Sequence, residues 1–267
     1  MINLIKNLYQ AAVIWVDQDM VYYAAAFSYY APLAIIPLIL ISLTLVGFFY
    51  GPEFTSQVLF GWGNIVSPEL TSIVSEAVRN LKEETNSFTI PLIGVAIFSS
   101  ISIVALNVIS AGFQRLWKIN DVGVISWIRR SIRSIIFIIV LQIYLIVIIG
   151  LQVVLNAFPI KADSIYYSIL LFFSTAALFT FLYHFLYRYS PSLKNSLIGG
   201  FVGAVLFMVA KYLVYVYIIS TPLLSFYGGA GLILVLLIWV YVLSAIIFYG
   251  AAVAGLYEKI NKNNYLK

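Results

Sequence analysis

Residues 212–257, YLVYVYIISTPLLSFYGGAGLILVLLIWVYVLSAIIFYGAAVAGLY, run for 46 positions without an Asp, Glu, Lys or Arg. Wound as one helix at about 1.5 Å per residue, the stretch would be about 69 Å long, more than twice the ~30 Å hydrocarbon core of a bilayer. It must break. Thr221-Pro222 and Gly228-Gly229 carry the break signals and leave one helix over 196–219 and another over 230–256.

Working outward, charge-free runs from Met20 to Pro52, Thr85 to Gln114, Ser134 to Ile160 and Ser164 to Tyr187 add four more spans, at 30–50, 88–112, 134–157 and 165–187. The reading is a single all-α, polytopic transmembrane domain over 1–267, with six transmembrane helices. A membrane β-barrel would need short strands of alternating polarity, whereas these runs are apolar on every face. The chain is 63% hydrophobic and 9% charged, with a mean hydropathy of +1.03. A soluble domain carries about 25% charged residues, so a soluble, disordered or coiled-coil protein is excluded. Zero cysteines exclude disulfides and thiolate sites, and one histidine excludes any site built on two imidazoles.

Lys and Arg in the connections set the orientation. Lys6, Arg115, Lys118, Arg129, Arg130, Arg133, Arg188, Lys194, Lys259, Lys262 and Lys267 fall on one side, and only Arg79, Lys82 and Lys161 on the other. Eleven against three puts both termini in the cytoplasm of a multi-pass cytoplasmic (inner) membrane protein. The net charge of +5 therefore reflects topology, and a nucleic-acid partner is not expected. The start lacks the features of a cleavable signal peptide. Residues 3–16 instead place Leu4, Ile5, Leu8, Ala11, Ala12 and Trp15 at helical spacing, as in an interfacial helix. In the outward loop, 51–87, Ser67 and Pro68 open an amphipathic helix whose apolar face is Leu70, Ile73, Val74, Ala77, Val78 and Leu81. That face is expected to cap the outer mouth of the bundle.

Lys211 is the one clear ionisable residue inside a span, and such residues are functional candidates by default. It is expected to contact an anionic substrate from a water-filled outer vestibule, against the alternative of a lysine satisfied by carbonyls or tyrosine hydroxyls. Asn107, Gln114, Tyr29 and Tyr217 are the further candidates for a substrate-lined cavity, though Asn and Gln serve equally well as interhelical hydrogen-bond partners. Arg129, Arg130 and Arg133, near Trp117 and Trp127, are candidates for lipid head groups, set against plain positive-inside retention. His184 reads as interfacial packing. Pro32 and Pro37 predict a kinked first span. Gly199 and Gly203, and Gly250 with Ala254, predict close helix packing.

The string Ala24-Ala25-Ala26-Phe27-Ser28-Tyr29-Tyr30, preceded by Asp19 and followed by Pro37, resembles the opening signature of the BrkB/YihY-like family of bacterial and archaeal inner-membrane proteins. Phe113-Gln114-Arg115-Leu116-Trp117 is similar to that family's Leu-Asn-x-x-Trp element, and Tyr187-Arg188 with Pro191 to its Tyr-Arg-x-x-Pro element. Gly200 to Tyr217, Tyr227-Gly228, Trp239-Val240-Tyr241 and Gly250-Ala251 follow in the family's order. Two departures stand out. Gln114 replaces the usual asparagine, and Ala252 stands where the last motif usually has glutamate, which leaves Lys211 without that carboxylate as a partner. The resemblance implies a role in envelope integrity and serum resistance and the export of lipid-like substrates, and an old ribonuclease label travels with it.

Nuclease chemistry needs a cluster of carboxylates or histidines. Asp17, Asp19, Asp121 and Glu258 are scattered and lie on no metal motif, so the chain is expected not to be an enzyme and to need no metal or cofactor. The expected function is transport or export of an anionic, amphiphilic, lipid-like substrate, with membrane lipids as partners. The alternative is an envelope-integrity scaffold without a translocation path. Self-association stays open.

Overall fold

A computed structural model describes residues 2–34, 89–119, 123–157, 165–186, 190–220 and 229–265. Among the described residues all regular structure is helical: α1 (Ile2–Asp17), α2 (20–34), α3 (Thr89–Leu116), α4 (Val124–Ala157), α5 (Ile165–Phe185), α6 (Leu193–Ser220) and α7 (Gly229–Tyr265). Within the long uncharged run α6 extends to Ser220 and α7 begins at Gly229, and the break signals at Thr221-Pro222 and Gly228 lie outside the described residues. α4 begins ten residues before the expected start at 134, so Arg129, Arg130 and Arg133 sit on its first turns and not in a loop. The outward-loop helix at Leu70–Leu81, the later half of the first span and Pro37 lie outside the described residues.

Leu193–Val214 in α6 and Leu234–Asn261 in α7 are long and apolar enough to cross a membrane, and only 28% and 39% of an 18-residue apolar window in each is buried. The core helix of a soluble protein is apolar because it is enclosed. Here Leu197, Phe201, Val205 and Val209 form an exposed row at four-residue spacing, and Ile132, Ile135, Ile136 and Ile139 share an exposed face of α4 at the i, i+3, i+4, i+7 positions. Apolar faces of this kind suit lipid.

The described residues pack as two compact units. One holds the described parts of Met1–Pro32, Ile103–Phe137 and Asp163–Lys267. Within it α5, α6 and α7 pack in succession and α1 lies on α7, where the Tyr249 hydroxyl donates to the Leu8 carbonyl at 3.0 Å. Lipid removes the hydrophobic drive between helices, so they are held by close van der Waals approach and hydrogen bonds. At the α6–α7 crossing a Cβ on Gly199 would lie 2.5 Å from the Gly250 carbonyl oxygen and 2.8 Å from the Ala254 Cβ, so only glycine fits. Phe113, Tyr183 and Phe248 form the enclosed aromatic core, with Phe248 pressed on Gly112. α1 buries Ala11 against the bundle and exposes Ile5, Tyr9, Val13 and Val16, so its outward face is also apolar.

The second unit holds the described parts of Leu33–Ser102 and Ile138–Ala162, chiefly the first half of α3 and the second half of α4. Its buried Ser102 and Gln142 both have partners.

Candidate functional site

In the first unit, the last turns of α3, α5 and α7 meet the first turns of α4 and α6 and the α1–α2 junction, which gathers the charged residues at one end. Arg115 donates through Nε to the Gln18 carbonyl at 3.1 Å and pairs with Asp19 at 2.7 Å. Both members of the pair are about half exposed, at 49% and 51%, which limits it to about 0–1 kcal/mol. Glu258 on α7 accepts from the Ser192 N–H at 2.9 Å and the Asn195 amide at 2.7 Å. It thus caps the N-terminus of α6 with a carboxylate, where the helix dipole favours negative charge. Arg133 reaches the Phe185 carbonyl at the C-terminus of α5, the favourable end for a cation. His184 is exposed, with Nδ1 3.1 Å from the Pro191 carbonyl, which places the proton on Nδ1.

α3 ends in a hydrogen-bonded reversal. Ile119 N–H donates to the Gln114 carbonyl, Lys118 N–H donates to Arg115, and Lys118 takes φ 54°. Glycine normally fills this left-handed position, and a lysine there costs about 1 kcal/mol. The reversal sets Lys118 between two cavities and makes it part of the wall of both.

The larger cavity, about 620 Å³, is bounded by Ile14, Asp17 and Gln18 of the α1 end, by Leu116 to Ile119, by Ser190 and Pro191, and by Ala252, Gly255, Leu256, Glu258 and Lys259 of α7. The smaller, about 460 Å³, has Tyr23, Gln114 and Arg115 on its wall. A volume of ~300–1,000 Å³ with apolar walls and a few polar groups is typical of a small-ligand site. Among the described residues, Asp17, Lys118 and Lys259 carry unpaired side-chain charges in the larger cavity. Trp117 forms part of its wall, held by a bond from Nε1 to the Ala251 carbonyl at 3.1 Å.

The sequence candidates are distributed unevenly around this end. Gln114 lines the smaller cavity and accepts from Arg130 at 3.2 Å. Asn107 spans α3 to α4, donating to Ser131 and accepting from Ser134, each at 3.3 Å. Arg129, Arg130 and Arg133 are half-buried. Tyr29 is exposed and stacks edge-on with Tyr30. Lys211 and Tyr217 are exposed on α6, and neither they nor Tyr29 line either cavity. Lys118, Lys259 and Asp17 were not singled out as site residues by sequence. The signal available for them was position, since each sits within a few residues of the end of an apolar helix.

Fold and site together define a helical membrane protein with a ligand-sized cavity at the charged end of its helices. The model of the family described as Virulence factor BrkB matches residues 13–266, and the chain belongs to that family. A UPF0761 membrane protein of Coxiella burnetii is 27% identical over 258 residues, covering 90% of this chain and 88% of that protein. One from Azotobacter vinelandii is 27% identical over 241 residues, covering 85% of this chain and 57% of that protein. No solved structure matches significantly.

Proposed function

We propose that this protein is a non-enzymatic carrier that moves an anionic, lipid-like amphiphile across or out of the cytoplasmic membrane, through six spans with both termini in the cytoplasm. The observation that carries the reading is the larger cavity: an amphipathic space of about 620 Å³ whose largely apolar wall carries Lys118 and Lys259, unpaired among the described residues, beside Asp17 and Glu258. Two cations at its edge suit a phosphate or carboxylate head group, and the exposed apolar rows on α4 and α6 suit the tails. Lys211 lies about 27 Å along α6 from Leu193, at about 1.5 Å per residue. An exposed lysine at that depth can snorkel to the far interface and offer a second contact to the head group.

Purified protein in vesicles tests the reading. Labelled anionic lipid should cross faster than in empty vesicles, and Lys211→Ala should slow it. Equal rates with and without protein would favour a non-transporting scaffold, a role to which the tight Gly199–Gly250 crossing is also suited.

A further inference from the structure

The charges around the larger cavity have a pattern that a simple anion does not use. Its formal charges are Lys118 and Lys259 on one hand and Asp17 and Glu258 on the other. Glu258 is committed, since its Oε2 holds both the Ser192 N–H and the Asn195 amide. Asp17 is not: its carboxylate has no hydrogen bond or ion pair among the described residues. It is also the last residue of α1, a helix with no basic side chain in its final turn. Asp19, two residues on, has its charge answered by Arg115, which leaves Asp17 as the unanswered acid at this junction.

Two unpaired lysines and one unpaired carboxylate thus border one cavity without pairing to one another. A ligand with a single negative group would satisfy the lysines and leave Asp17 without a partner. A ligand carrying both an anionic and a cationic group would satisfy both.

We propose that the cavity recognises a zwitterionic head group, a phosphodiester bearing a primary amine, with the phosphate at Lys118 and Lys259 and the ammonium at Asp17. This rests on the reading of the cavity as the substrate site and names the substrate class more closely. The same chemistry occurs in an aminophospholipid and in its soluble glycerophosphoryl head group. The exposed apolar row of α6, a helix that starts two residues after Pro191 of the cavity wall, favours the lipid.

The test is native mass spectrometry of the full-length protein in detergent with three ligands: a short-chain phosphatidylethanolamine, a phosphatidylglycerol of the same chains, and glycerophosphoethanolamine. The wild type should favour the amine-bearing lipid over the amine-free one by about tenfold, and the chainless head group should bind weakly. Asp17→Asn should bring the two lipids to the same affinity, Asp17→Glu should restore the preference, and Lys118→Gln should weaken both. An amine-free lipid bound as tightly as the amine-bearing one by wild type, or a preference that survives Asp17→Asn, overturns the zwitterion assignment while the lipid site stands. Tighter binding of the chainless head group assigns the site to the soluble source and overturns the lipid. Binding of both lipids that ignores Lys118→Gln overturns the cavity as the substrate site altogether.

Discussion

The indole of Trp117 is fixed to α7 twice: its Nε1 donates to the carbonyl of Ala251, and its ring lies where a side chain on Gly255 would have to go, with Cδ1 2.5 Å from a Cβ built there. The residue after the last turn of α3 is thereby locked to the C-terminal half of α7, and one wall of the cavity is set by that lock. Trp117→Phe removes the donor while the Ala251 carbonyl keeps its bond within α7, so the loss is that of one hydrogen bond and should lower stability by about 0.5–1.5 kcal/mol. Thermal unfolding of the purified protein in detergent reads this directly.

Gly199 and Gly203 should respond differently to the same substitution. A methyl on Gly199 meets backbone, the Gly250 carbonyl oxygen at 2.5 Å, whereas on Gly203 it meets the Phe179 ring at 2.7 Å. Backbone cannot step aside without parting α6 from α7, while a ring can rotate. Gly199→Ala is expected to cost about 3 kcal/mol or more and Gly203→Ala about 1 kcal/mol. Comparing the two melting temperatures checks the order, and equal losses would contradict the packing at the crossing.

Tyr183 is fully buried, and its hydroxyl has no partner among the described residues. An unmet buried hydroxyl costs about 1–3 kcal/mol, so Tyr183→Phe should leave the protein as stable or more so. A clear loss of stability on chemical or thermal unfolding would mean that the hydroxyl is in use.

Glu258→Ala removes the acceptor from the first turn of α6 and from Asn195, which is 1% exposed and also accepts from Asn261 at 2.9 Å. The expected loss is about 1–3 kcal/mol, with Glu258→Gln recovering part of it because an oxygen acceptor remains. The N-terminal turn of α6 should show faster amide exchange in the alanine variant.

Most of the helices could be read in the sequence because their apolar stretches are long intervals between charges, and the Gly228-Gly229 signal lies at the start of α7. The site could not be read so easily, because its parts are joined across long separations. Arg115 meets Asp19 from 96 residues away, and Glu258 meets Asn195 from 63, so neither pairing leaves a local pattern. Lys118 gave no warning either, since glycine is the residue that announces a left-handed helix end. Lys211 drew attention as a charge within an apolar run. α6 is apolar on every side, so its periodicity could not say that the lysine would face outward.

The most direct measurement of the central claim is transport of labelled anionic lipid into or out of vesicles containing wild-type protein or the Lys118→Gln/Lys259→Gln double variant. Two lysines near a membrane surface contribute about 1 kcal/mol each to holding an anionic head group, or roughly thirtyfold together. The account predicts a fall in transport of that order at limiting substrate, with the variant still folded by its melting temperature. A double variant that transports at the wild-type rate would contradict it.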